Sequence, residues 1–181
     1  MRGDDMFIPG FVISLLTFPG VIVHEYAHQL FCRLTGVAVI EVCYFRLGNP
    51  SGYVKHEIPK KASQNIWIGI GPFFVNTLIG ALIAMPAAIQ IIKFKDYSNI
   101  LNLFLAWLGI SIAMHSFPST GDAASIWKSI WKKETGVLLK LIGTPIVALI
   151  YICSIGSFFW LDLLYGIGVA LVIPILAISL L

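Results

Sequence analysis

Between Ile66 and Ile92 the chain carries no formally charged residue. About 20 consecutive apolar residues suffice to cross a bilayer, so this stretch demands either lipid or a deeply buried core as its solvent. Four other apolar segments repeat the pattern: Phe7 to about Leu34, Ile100 to Phe117, Val137 to Trp160, and Leu163 to Leu181. Charged residues make up 12% of the 181, about half the usual quarter, which argues against a disordered chain and an ordinary water-soluble globule. The net charge of +3 is scattered along the chain, which argues against a nucleic-acid partner recognised by a basic stripe. The expected fold is an all-α membrane protein, a polytopic helical bundle of about five spans with the lipid bilayer as its partner.

The expected organisation is a three-helix core over residues 1–136, containing an extended loop at 36–63, followed by a C-terminal transmembrane hairpin over 137–181 with no identifiable chemistry. The block 143–181 also admits a reading as one long span plus a re-entrant piece, because Gly156, Gly166, Gly168 and Pro174 interrupt it. In the loop, Val37 to Phe45 is rich in β-branched and aromatic residues, Gly48-Asn49-Pro50-Ser51-Gly52 is a turn cluster, and Tyr53-Val54 resumes the extended pattern. That sequence predicts a β-hairpin. The first apolar segment is too long for a signal-peptide core and lacks a net positive start. Pro19-Gly20 should interrupt or restart its helix, and Thr35-Gly36 should end it.

If the spans alternate, the loops 36–63 and 118–136 share one side, with Arg46, Lys55, Lys60, Lys61, Lys128, Lys132 and Lys133, and with Arg33 and Lys140 at its border. The other side holds Arg2, Lys93 and Lys95. The excess of basic residues marks the first side as cytoplasmic. The expectation is a multi-pass protein of the cell membrane, its N-terminus external and its C-terminus cytoplasmic. Cys32, Cys43 and Cys153 form no CxxC pair, so neither a disulfide framework nor a cysteine zinc site is expected.

His24-Glu25-Tyr26-Ala27-His28 reads H-E-x-x-H. On a helix, positions four apart share one face, so two imidazoles can take two corners of a zinc tetrahedron while the adjacent Glu25 is placed to take a proton from an activated water. Ionisable residues inside an apolar segment are costly and are by default functional or paired. A hydrolytic zinc needs a third protein ligand and an open position. The candidates are His56, His115, Asp122, Glu134 and Glu41. His24 and His28 lie towards the cytoplasmic end of the first span, and Asp122 follows the third span at that same end. Asp122 also reads as an N-cap for a helix from Ala123 to Lys132. The missing third ligand favours the metal role. His115 reads as a residue orienting a ligand or as a satisfied core histidine. His56 falls in a polar loop, and Glu134 in a charged surface run.

These features resemble the site-2 protease family of intramembrane zinc metalloproteases. The resemblance covers about residues 7–128: the H-E-x-x-H helix, an extended loop, Gly71-Pro72 opening a second span with Asn76, and a proline followed by an aspartate at the end of a third. It implies one Zn2+ per chain held by His24, His28 and Asp122, with Glu25 as catalytic base. It also implies a substrate-pairing strand, which Gly52-Tyr53-Val54 matches loosely; a strand edge near such a centre can capture peptide by β-addition. Two positions differ from the family pattern. The family has Gly-Pro-x-x-Asn, whereas Gly71-Pro72-Phe73-Phe74-Val75-Asn76 has one more residue, which rotates the side chain by about 100°. The family has Asp-Gly where this chain reads Gly121-Asp122-Ala123. Asn76 is therefore expected either beside the zinc, as an oxyanion or orienting group, or in an interhelical hydrogen bond.

The expected function is a zinc-dependent endopeptidase that cleaves transmembrane or membrane-proximal peptide segments with zinc-activated water. Two alternatives are a membrane zincin with Glu134 as third ligand, and a catalytically silent zinc-bearing adaptor or transporter component.

Overall fold

A computed structural model describes residues 10–179. Its elements are α1 (Gly10–Leu16), α2 (Phe18–Leu34), β1 (Val39–Cys43), β2 (Tyr53–His56), α3 (Ala62–Phe94), α4 (Ile100–Met114), α5 (Thr120–Ile130), α6 (Val137–Ser157) and α7 (Leu161–Ser179). The chain is mostly helical, and β1 and β2 form the expected antiparallel hairpin, pairing Val42 with Val54 and Cys43 with Tyr53. Among the described residues, α3 and α6 are the two helices long and apolar enough to cross a membrane. The start of the first expected span at residues 7–9, the charges of Arg2, Asp4 and Asp5, and the last two leucines of the fifth span lie outside the described residues.

The apolar runs become helices, but local chemistry interrupts three of them. The first breaks at Thr17, whose hydroxyl donates to the Ile13 carbonyl at 2.6 Å. Pro19, which has no N–H to satisfy, occupies the first turn of α2. That helix ends at Thr35, followed by Gly36 in the left-handed region at φ 71°, where glycine is favoured. The third run ends early, at Met114, and the chain re-enters helix at Thr120. The C-terminal block breaks between Ser157 and Leu161.

Gly71-Pro72 does not open the second span as expected; α3 begins at Ala62. Gln64 explains the earlier start. Its Oε1 accepts from the Lys61 N–H at 2.8 Å, and its Nε2 donates to the Thr35 carbonyl at 2.9 Å. The side chain thus caps α3 and ties it to the end of α2.

α3 is the spine. Gly80 and Ala84 face Gly109 and Ala113 of α4, a small residue at every fourth position on both helices. A Cβ on Gly109 would stand 2.7 Å from the Gly80 carbonyl oxygen and 2.8 Å from the Ala84 nitrogen, so the backbones touch. Small residues permit this approach where apolar surface gains nothing by leaving lipid. The fully buried Asn76 adds polar ties, donating from Nδ2 to the carbonyls of Gly20 and Ile112, both at 3.1 Å. The interior also holds Asn65, Asn102, Ser111 and Ser116, while Leu78, Leu82, Leu149, Ile152 and Leu164 face outward.

The final helices take different partners. α6 packs Val147 and Ile150 on Ile126 and Ile130 of α5 and Ile66 of α3. α7 packs Val169 on Ala81 and Ala113 and joins its Tyr165 hydroxyl to Thr77 at 2.7 Å. Gly69 lies beside Asp122, Asn65 bonds Ser125 and Ile66 packs with Ile130, an order that runs α5 antiparallel to α3, and α6 returns along α5. α7 then follows the direction of α3, Tyr165 beside Thr77 and Val169 beside Ala81. α6 and α7 therefore point the same way along α3.

Candidate metal centre

The H-E-x-x-H segment lies on α2 as anticipated, and backbone carbonyls fix its chemistry. His24 Nδ1 is 2.7 Å from the His115 carbonyl oxygen, and His28 Nδ1 is 2.9 Å from that of Ile68. A carbonyl only accepts, so each Nδ1 carries a proton, and a neutral ring held this way presents its lone pair at Nε2. The two Nε2 atoms are 3.1 Å apart. His28 Nε2 is 3.7 Å from Asp122 Oδ2, and the three donor groups lie within 4.8 Å of one another.

Two imidazole nitrogens and a carboxylate oxygen this close together form a cluster of donor atoms that a cation can bridge. Tetrahedral zinc, with bonds of about 2.0–2.1 Å, sets its ligand atoms about 3.3 Å apart. The observed separations bracket that value. Two imidazoles and one carboxylate also match a catalytic donor set that leaves one position open. The residues present fit such an ion.

Asp122 takes the capping role considered for it, with one adjustment, and stands beside His28. Ser119 is the N-cap of α5, and Asp122 is the third helical residue. Asp122 Oδ2 accepts from the Ser119 N–H at 2.8 Å and from its hydroxyl at 2.6 Å. The Asp122 N–H donates back to Ser119 Oγ at 3.2 Å. This reciprocal capping holds the same oxygen that faces His28, so the cap and the ligand role support each other. Ser119→Ala should lower metal affinity about 10–100-fold, the usual cost of losing a hydrogen bond that orients a ligand. Competition against a chromogenic chelator measures it.

The other candidate ligands are elsewhere. The His115 ring bonds Thr17 Oγ1 at 2.8 Å, so its backbone, and not its ring, orients His24. His56 lies on β2 with Nδ1 against the Glu57 carbonyl. Glu41 pairs with Lys55 at 2.7 Å; that hydrogen bond, then the one from Tyr53, holds its carboxyl below the usual range. Glu134 lines a separate cavity with Lys60, Lys61 and Lys132. Asn76, expected beside the metal or between helices, takes the interhelical place: both amide protons are engaged by Gly20 and Ile112, leaving none for a substrate oxyanion.

Glu25 is 8% exposed, and among the described residues no group hydrogen bonds to its carboxylate. The hairpin turn covers it. A Cβ on Gly52 would stand 2.6 Å from Glu25 Cγ and 3.0 Å from Oε1, so only glycine allows the turn to lie this close. Val39 and Val54 anchor the hairpin on Cys32 and Ile68, and the Tyr44 hydroxyl donates to Gln29 of α2.

Between the turn and the helices lies a cavity of about 270 Å³, lined by residues including His24, Glu25, Gly52, His115, Ser157 and Asp162. The three helix interruptions meet here. Ser14 lines it just before the first break, Met114, His115 and Phe117 at the second, and Ser157 and Asp162 on either side of the third. Sequence reading does not anticipate Ile68, Ser157 or Asp162 at the site. For Ser119 a signal existed in the Ser-x-x-Asp capping pattern. No family model, no curated protein and no solved structure matches this chain, so its own geometry bears the reading of the centre.

Proposed function

We propose that the protein is an intramembrane zinc-dependent endopeptidase, similar in its chemistry to the site-2 proteases that its motifs resemble. The observation that carries the reading is the convergence of two tautomer-fixed imidazole nitrogens and Asp122 Oδ2 beside an unpartnered, buried Glu25. Zinc at this position supplies a Lewis acid that polarises the peptide carbonyl and acidifies water. Glu25 takes the proton of the attacking water and returns it to the leaving amine. The carbonyls of His115 and Ile68 hold the imidazoles in register, and Ser119 holds Asp122. The hairpin turn and the helix breaks limit the water that reaches the reacting bond. The sheet has two strands, so an extended substrate can pair with a free strand edge running from Gly52 through Tyr53 and Val54.

The membrane setting is part of the proposal. Many large apolar side chains face outward, Leu78, Leu82, Leu149 and Leu164 among them, a surface that lipid covers at no cost. Irregular backbone at membrane depth is tolerated where it is enclosed by protein or lines a cavity, and the three helix interruptions surround one. At about 1.5 Å per residue α3 is about 50 Å long, enough to pass a 30 Å hydrocarbon core and reach beyond it. Lys60, Lys61 and Lys132 meet around the second cavity, which supports placing the loops 36–63 and 118–136 on one side, cytoplasmic by their positive charge. α7, running with α3, leads away from that side, which supports placing Ser179 towards the opposite face.

Metal analysis of the purified protein tests the reading. One zinc per chain is expected in the wild type and a substoichiometric amount in Asp122→Ala, with cleavage of an unwound membrane peptide lost in parallel. Wild-type protein without zinc, or a variant retaining it in full, overturns the assignment. The variant Glu134→Ala should keep its zinc.

A further inference from the structure

The cavity over Glu25 contains a second carboxylate that the proposed reaction leaves idle. Asp162 lies in the first turn of α7, just after the joint that carries Ser157. Its Oδ1 accepts from the Leu163 N–H at 2.9 Å. That contact is an ordinary helix-start interaction, which asparagine or serine would also make, and it uses neither the second oxygen nor the charge. Among the described residues Asp162 forms no ion pair, and no lysine or arginine lines the cavity. Arg46 of the hairpin is engaged elsewhere, donating to the Pro50 carbonyl at 2.9 Å and lying over the Tyr53 ring.

Asp162 is half-buried at the cavity wall, where a carboxylate among apolar helices gains from a cationic partner. Glu25 is the other acidic side chain lining the cavity, so among the described residues the cavity wall holds two carboxylates and no lysine or arginine. A bound molecule can supply the cation that the described cavity wall lacks. A cavity of about 270 Å³ lies just below the usual range for small-ligand pockets, which suits one extended side chain. Lysine and arginine are the cations that membrane segments carry near their ends, with long apolar stems beneath the charge.

We infer that Asp162 is a specificity-determining residue that receives a lysine or arginine side chain of the bound peptide, so that the substrate class is a membrane segment with a basic residue close to the bond to be cut. This deepens the proteolytic reading and rests on it for the word substrate. The binding preference itself does not require turnover.

The test therefore measures binding. The Glu25→Gln protein, in detergent micelles, is titrated with fluorescent membrane-segment peptides that differ only in lysine, acetyl-lysine or norleucine at one position, scanned along the peptide. At one position lysine should bind about tenfold or more tighter than the two uncharged forms, as a charge-assisted hydrogen bond warrants. With Asp162→Asn added, that preference should fall below about twofold while norleucine binding is unchanged. Three results overturn the proposal: no lysine preference at any position, a preference that survives Asp162→Asn, or an equal loss for all peptides. The acetyl-lysine comparison needs no second substitution, so it decides the matter even if Asp162→Asn fails to fold. Should the wild type cut no peptide while the Asp162-dependent preference holds, the proteolytic reading fails and this one stands.

Discussion

Glu25→Gln should leave one zinc per chain and lower kcat by about 10²–10⁴-fold, the usual contribution of a positioned general base. The amide matches the carboxylate in size, so the packing under Gly52 is preserved. It cannot take a proton from water. Neither the capping of Asp122 nor the carbonyl contacts of His24 and His28 involve Glu25, so the metal donors stay in place. Cleavage of a fluorogenic membrane peptide, with zinc quantified on the same preparation, separates the two effects. An unchanged rate would remove Glu25 from the chemistry. A loss of zinc equal to the loss of rate would make it a structural residue of the centre.

Gly109→Leu should prevent the bundle from assembling. The atoms nearest its missing Cβ include the Gly80 carbonyl oxygen and the Ala84 nitrogen. Both belong to the backbone and cannot swing aside, so α3 and α4 must separate along their length. Overpacking a well-filled interior typically costs about 1–3 kcal/mol, occasionally more, and loss of the rest of the helix contact adds to it. Separation would also draw Ile112 away from Asn76, breaking a polar tie between these helices. Thermal unfolding in detergent is the measurement, and an unchanged melting temperature would show that the close approach contributes nothing. Gly109→Ala, with a smaller intrusion, should be milder.

The two predictions probe different levels of one design. Close packing of small residues fixes α3 against α4 and brings the end of α4 to the middle of α2. There the His115 carbonyl receives His24, and the break that follows lets α5 start at Ser119 and deliver Asp122. Helix packing therefore sets the position of the donor atoms. A helix continued unbroken past Met114 would keep its carbonyls within its own hydrogen-bond ladder and carry Asp122 onward on a different face.

The sequence by itself determined the helical character, the hairpin and half of the centre. Long apolar runs leave the backbone little choice but internal hydrogen bonds, and β-branched residues around a Gly-Asn-Pro-Ser-Gly turn favour a hairpin. A spacing of four puts His24 and His28 on one helical face whatever surrounds them. Local periodicity carries all of this. The third donor was not local: Asp122 and four other residues were chemically eligible, and only packing of α5 on α3 brings one of them to His28. The imidazole tautomers depend on the carbonyls of Ile68 and His115, groups every residue possesses and no motif can mark. Asn76 went to the helix interface because its rotation on α3 points it at Gly20 and Ile112. Asp162, visible in the sequence only as a charge in a joint, reached the cavity because α7 follows α3 and does not fold back on α6. Side-chain identity and spacing are written in the chain, whereas which backbones approach one another is set by the fit of small residues across helices far apart in sequence.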